Sequence, residues 1–467
     1  MRIRRLVVVT AVALLAGTPW PGTGAAAVAD VRASALGPGS ASLTWQAAGA
    51  TRAWVELGRS APFGVWYPAT RQPDGHFAAT LTGLAPSTTY AFRVRSVSPA
   101  GSADALGSVT TASIAGRSTA TTTKGRFVVD GQRFFPLMAW WQCPDHVDAL
   151  VGLGINVFMG GCKTKYGRDF LPALNGRAYS TLPVEDAFED VDGRGLIGWN
   201  FHDEPEGYGI PASALPDLPP ASSSGRLRLL TSTYHFFRGA APLAPDRGHE
   251  IYAPYWAKAD AVGFDLYPLE KLCSHRLTLR NVYDIQRQLV QENPGKPTYQ
   301  WIETGPLEGE CFWSPFRVTP ATLHAEAWMA IAGGAAGIGY FTHTWRPNGT
   351  PEPSWSPFDV APDVQTQMLK TNLEIGELAP ALTGQEVALK LAGRSPVVVG
   401  ARTFNKALYV IAVNPSYNPA TAIIGLKGIG SRSFDVFGES RTVQTRRGLL
   451  VDRFEPLAVH VYVAAPR

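Results

Sequence analysis

Two glutamates stand where acid–base chemistry can be done. Glu204 lies in Gly198-Trp199-Asn200-Phe201-His202-Asp203-Glu204-Pro205-Glu206, and Glu303 in Tyr299-Gln300-Trp301-Ile302-Glu303-Thr304-Gly305. In each, a short apolar run that reads as a strand ends at a carboxylate, and Pro205 blocks further pairing because it has no N–H to give a ladder. Two carboxyls directed at one bond are what acetal cleavage needs: one protonates the departing oxygen and the other attacks the carbon. Unequal surroundings would split their pKa values, so that one stays protonated while the other stays charged. Taken alone, Glu204 could equally be a helix N-terminal acid and Glu303 a cap of the next loop. The pair acquires meaning only on a scaffold that turns both to one point.

That scaffold is read from the alternation of short β-branched or aromatic runs with longer helical patterns. Strands are expected at Phe134–Ala139, Ile155–Met159, Ala178–Leu182, Leu196–Phe201, Arg228–Tyr234, Ala261–Leu266, Thr298–Ile302 and Gly337–Thr342. Helices are clearest at Val282–Gln291, Ala321–Ala332 and Asp363–Leu378. Eight such units predict a (β/α)8 TIM barrel over 125–383, with its site at the C-terminal strand ends. The two glutamates then follow strands four and seven, across the barrel from each other. Other strand ends offer candidate substrate-binding groups: Asp265 and Tyr267 after strand six, His235 after strand five, Trp345 after strand eight, and Trp141 with Trp140 after strand one. Aromatic faces stack on sugar rings, although each tryptophan alone serves a core as well.

Glutamates after strands four and seven of such a barrel resemble the clan A glycoside hydrolases, over roughly half of the chain. The resemblance implies a retaining glycosidase with Glu204 as acid/base and Glu303 as nucleophile, acting on a carbohydrate without a cofactor. The Asp-x-Tyr-Pro ending at Asp265–Pro268 resembles that of many barrel glycosidases. One position departs: the clan usually carries Asn before its acid/base glutamate, and this chain has Asp203. An adjacent Asp-Glu pair is similar to that of substrate-assisted hexosaminidases, where the Asp orients the sugar's 2-acetamido group for the attack. A third reading is a non-catalytic carbohydrate-binding or adhesive protein on a degenerate barrel. His202, Asp203 and Glu206 are metal-ligand types, but no complementary His cluster follows another strand, so no metal is expected.

The flanks complete a multidomain chain. Arg2, Arg4 and Arg5, the apolar run Leu6–Leu15 and Ala27-Val28-Ala29 form a signal-peptide pattern over 1–29, too short to span a bilayer. Secretion to an extracellular site is therefore expected. Residues 30–113 resemble a fibronectin type III domain: Ser42-Leu43-Thr44-Trp45 reads as an early strand, and Gly83–Val94 as a corner in which the Tyr90 hydroxyl turns back onto the backbone. A Ser/Thr-rich linker is expected over 114–124, and a C-terminal β-sandwich over 384–467. Thirteen Trp and fifteen Tyr accompany a net charge of only +4, three units of which leave with the leader arginines. That balance gives no electrostatic case for nucleic acid or anionic membranes. Four cysteines in an exported chain point to disulfides. Their positions after neighbouring strands pair Cys143 with Cys162 and Cys273 with Cys311.

Overall fold

The computed structural model describes residues 27–58, 63–161, 166–188, 193–218, 224–269, 272, 277–305, 317–345 and 355–466. Eight parallel strands close into a barrel in chain order: β1 (Leu137–Gln142), β2 (Val157–Gly161), β3 (Tyr179–Pro183), β4 (Leu196–Asn200), β5 (Leu227–Ser232), β6 (Ala261–Asp265), β7 (Thr298–Glu303) and β8 (Gly337–Phe341). The barrel shuts where Leu137 of β1 lies beside Ile338 of β8. The first strand starts three residues later than its sequence pattern suggests. Gln132–Phe134 is already committed to a hairpin with Arg126–Val129, and Pro136 stands between the two strands. The fifth strand stops short of Tyr234, which enters a 3-10 turn instead.

The strands are buried almost throughout, so they read as continuous apolar runs rather than alternating ones. Three helices cover the later half of the barrel: α1 (Leu279–Glu292), α2 (Pro320–Gly333) and α3 (Pro362–Leu382). Leu279, Val282, Ile285 and Leu289 form the one buried stripe of α1. In α2 nearly every side chain is buried, because the helix lies between the barrel and the C-terminal domain. Thr319 caps its N-terminus by accepting from the Thr322 N–H. The close approach rests on Gly400: a Cβ there would run into the Ala332 carbonyl of α2.

Before the barrel, two four-stranded antiparallel sheets pack face to face. One holds Val28–Gly37, Ser40–Ala47, Phe77–Thr82 and Thr70–Arg71; the other Val65–Pro68, Arg52–Leu57, Thr89–Ser98 and Gly101–Thr110. Trp45 is fully buried between them and donates its indole N–H to Ser96 Oγ at 3.0 Å. The Tyr90 hydroxyl accepts the Ala85 N–H at 2.9 Å, pinning the corner that leads into its strand. Within the Ser/Thr-rich stretch 114–124, Ile114 is buried and Ala120–Thr123 is a strand. It joins Arg126–Val129 and Gln132–Phe134 in a small sheet whose Phe127, Val129 and Phe134 pack against barrel residues Met138, Val157 and Tyr179. The N-terminal end of the barrel is thereby stoppered, and the opposite end is left for chemistry. Beyond the barrel, a six-stranded and a three-stranded sheet enclose a separate core around Val410, Phe434 and Tyr462.

Candidate active site

The site rests on a floor of large aromatics. Tyr299 and Trp301 of β7 project into the barrel beside Met138, Met159 and Leu229. The alternate residue Thr298 faces the helix layer, where Gln286 Nε2 donates to its hydroxyl at 2.8 Å. Trp301 donates its indole N–H to Thr231 Oγ1 at 3.1 Å, and the Tyr299 hydroxyl lies 3.2 Å from the same oxygen. Rings of this size fit because the neighbouring strands carry glycine at the matching positions. A Cβ at Gly263 would overlap the Tyr299 ring, and one at Gly339 the Trp301 ring. By strand parity the next inward residue of β7 is Glu303, one layer nearer the mouth.

Three carboxyls gather above this floor on the β4–β6 side. Asp203, Glu204 and Asp265 are each half-buried. Glu204 has φ +44°, in the left-handed region, a conformation that costs a non-glycine residue about 1–2 kcal/mol. Hydrogen bonds on both sides hold it there: its N–H donates to Thr231 O at 3.0 Å, and its carbonyl accepts from Gly207 N at 2.8 Å and Tyr208 N at 3.2 Å. The buried Tyr267 donates to Asp265 Oδ1 at 3.1 Å. Burial pushes the Tyr267 phenol well above its ordinary range, with the charges of Asp265, Asp203 and Glu204 adding to the shift. Burial is also the first cause of the upward shift at Tyr299, with the charges of Asp203 and Asp265 contributing. Tyr208 stands at the rim, 71% exposed, with its ring edge-on to His202 at 5.0 Å. Its phenol is raised by partial desolvation and then by Asp203, Glu204 and Asp265. Three carboxyls and two tyrosines from the ends of β4 and β6 therefore share one space.

The β7–β8–β1 side is drier. Glu303 is fully buried, and its Oε1 accepts the backbone N–H of Leu269, in the loop after β6, at 2.9 Å. Its charge reaches Tyr417 of the C-terminal domain, whose phenol is pushed up to about 12 by desolvation, with Glu326 and Glu303 adding. His343, 4% exposed, is held neutral: burial pushes it down to about 4, although its Nε2 lies 3.0 Å from the Trp140 carbonyl. Phe341 stacks on His343 at 4.9 Å and tilts against Tyr267 at 5.3 Å. Trp140 meets Trp301 edge-on at 5.4 Å and Trp141 at 5.9 Å. Trp141 itself has φ +45° and lies against Gly160. The two indoles are half-buried, each with surface left for a ligand.

The structure brings together Asp203, Glu204, Asp265 and Tyr267 and buries Glu303 fully at the end of β7. His235 is tied into its own loop: it stacks on Tyr234 at 4.2 Å and bonds the Ala241 carbonyl through Nδ1 at 2.9 Å. Trp345 pairs with Trp355 through a two-residue strand; its side chain lies outside the described residues. Cys143 is disulfide-bonded, and Cys162, Cys273 and Cys311, on which the pairing depends, lie outside the described residues. Sequence reasoning passed over Thr231, Tyr208 and His343 as site residues. Thr231 and His343 sit at strand ends, which was a usable signal. Tyr208 lies in an irregular turn with no periodicity to mark it. Among the described residues no group of three or more His, Cys, Asp and Glu is arranged to hold a metal ion.

No protein-family model and no curated protein matches the chain. Among solved structures, similar folds include a maltogenic α-amylase from Thermotoga neapolitana, with 9% identity over 71% of this chain and 99% of that one and a TM-score of 0.44. A family 30 endoxylanase from Clostridium papyrosolvens gives 11%, 74%, 99% and 0.39, and a cyclomaltodextrinase 9%, 93%, 98% and 0.44. Similarity this distant assigns no activity; the barrel and its flanking sheets stand on their own geometry.

Proposed function

We propose that this protein is a secreted glycoside hydrolase that retains anomeric configuration, with Glu204 as its acid/base. The observation that carries the reading is the cluster of Asp203, Glu204, Asp265 and Tyr267 at the C-terminal mouth of the barrel, with the half-buried Trp140 and Trp141 at the end of β1. Such a site binds a sugar ring against indole faces and places a carboxylic acid beside the departing oxygen. Asp265 and Tyr267 bind the ring hydroxyls. The N-terminal sandwich is read as a fibronectin type III-like module, and the disulfide pairs as Cys143–Cys162 and Cys273–Cys311.

The attacking group has two readings. In the first, Glu303 displaces the leaving group and forms a glycosyl-enzyme, as the clan A resemblance implies. In the second, the sugar's own 2-acetamido oxygen attacks, oriented by Asp203, and Glu303 supports the fold of the mouth. The half-buried Asp203 in the cluster with Glu204 supports the second, and the place of Glu303 as the next inward residue of β7 supports the first. Nitrophenyl glycosides bearing 2-acetamido or 2-hydroxyl groups, tested on wild type and Glu204→Gln, separate these readings. Turnover confined to 2-acetamido sugars, with Glu204→Gln failing on substrates whose sugar leaving group needs protonation, supports substrate assistance. Turnover of 2-hydroxyl sugars, with azide rescuing Glu303→Gly as a glycosyl azide, returns the role to Glu303. Wild-type binding to glycans without turnover of any glycoside would defeat the enzymatic reading.

A further inference from the structure

A second glutamate follows Glu204 in the same turn, and the proposed chemistry gives it no task. Glu206 is 1% exposed. Its Oε1 accepts the Thr233 N–H at 2.5 Å, while Oε2 is buried without a hydrogen-bond partner. A buried carboxyl with an unsatisfied oxygen is costly and calls for an explanation. The backbone supplies one. Beyond β4 the chain continues to bond along β5: Phe201 N donates to Leu229 O at 2.9 Å and Glu204 N to Thr231 O at 3.0 Å. Pro205 then ends the ladder, having no N–H. At the next step along β5 the Glu204 carbonyl is already taken by its own turn, and the Thr233 N–H donates to the Glu206 carboxylate instead. A side chain thus extends the β4–β5 ladder past the proline, with the left-handed Glu204 clamped between two of its rungs.

We propose that Glu206 is a positioning residue for Glu204, clamping its left-handed turn to the end of β5 through the Thr233 N–H and holding a second, buried carboxyl in the same turn. The inference rests on Glu204 being the proton donor. Charged and titratable groups face Glu206 from each packed element. Glu204 lies on its own turn, Tyr252 and Tyr255 lie on the segment before β6, and Arg247 donates to the Glu206 carbonyl at 2.8 Å. The Tyr252 hydroxyl is engaged with Thr233 Oγ1 at 2.6 Å, so it does not relieve the carboxyl. Burial raises Glu206 to about 7, with Glu204 adding to the rise. Coupling of this kind is reciprocal: the last proton leaves the pair at a higher pH than it would leave Glu204 alone.

The test follows the carboxyl carbons of glutamate-labelled protein by NMR, together with pH–rate profiles, in wild type, Glu206→Gln and Glu206→Ala. Gln keeps an acceptor for Thr233 and removes the charge. The expected result is that Glu206→Gln lowers the titration of Glu204 itself by about 0.5 pH unit or more. The alkaline limb of kcat/KM should move with it. Glu206→Ala should also lower kcat about tenfold with little change in KM, since the clamp is lost. Unchanged titration and pH limb in both variants, with only the unfolding midpoint reduced, would overturn the proposal. Should wild type cleave no glycoside, the proposed function fails by itself, and the NMR titration still decides whether Glu204 and Glu206 are coupled.

Discussion

The two sides of the barrel mouth solve the problem of a buried ionisable group in opposite ways. On the β4–β6 side, Asp203, Glu204 and Asp265 crowd together, half-open to water, and the strain of a left-handed Glu204 is held by bonds to β5. On the β7–β1 side, Glu303 and His343 are enclosed; one accepts a backbone N–H and the other gives up its charge. The first arrangement leaves neighbouring carboxyls within reach of water, whereas the second satisfies Glu303 with a backbone donor and holds His343 neutral by burial. Proximity of like charges marks a site of chemistry more clearly than burial does, because a structural acid has no need of neighbours that repel it.

The comparison can be broken most directly at Glu204. Removal of a general acid costs roughly 10²–10⁴ in rate, so Glu204→Gln should lose that much in kcat/KM on a poor leaving group. Much less should be lost on a nitrophenyl leaving group, which needs little protonation. Equal losses on both would move the acid elsewhere. Asp203→Asn comes next, with an expected loss of about 10–100-fold on 2-acetamido sugars, the range of a lost charge-assisted contact in the transition state. Similar losses on 2-hydroxyl sugars would count against its orienting role.

A third effect appears in stability. Glu206 holds its proton more tightly in the folded chain, about 7 against an ordinary 4.5. Its contribution is complete below pH 4.5 and lost as the pH rises to 7. His343 shows the opposite behaviour, falling from 6.5 to about 4, so its contribution is complete above pH 6.5 and lost as the pH falls to 4. Each amounts to about 3 kcal/mol over its window, and between pH 4.5 and 6.5 the two slopes cancel. Denaturant unfolding of wild type should therefore be nearly flat there. Glu206→Gln should uncover a rise with pH, and His343→Gln a fall. A steep wild-type slope would show that one of the two groups titrates normally. The smallest effect is expected at the rim: Tyr208→Ala should raise KM up to about tenfold for substrates with a sugar leaving group, the worth of one stacked ring, and leave aryl glycosides unaffected.

Much of the fold was legible because its signals are local. The expected strands Ala261–Leu266 and Thr298–Ile302 match β6 and β7 to within one residue, and α1, α2 and α3 extend only one to four residues beyond their periodic cores at either end. Boundaries slipped where another element competed, as at Phe134, which the hairpin takes from β1. The positions after strands four, six and seven were legible for the same reason, since strand parity and Pro205 fix where a strand ends.

The amino-acid order alone thus determined the barrel, its two flanking sandwiches and the placement of Glu204 and Glu303 at strand mouths, because hydrophobic period and turn chemistry act over a few residues. Only the tertiary structure decided that those two glutamates differ in kind. Full burial of Glu303 depends on the loop carrying Leu269, and the crowding of Glu204 depends on Asp265, Tyr267 and the carboxyl of Glu206 bonded to Thr233. Exposure and electrostatic coupling are properties of neighbours distant in sequence, and no spacing within one segment encodes them.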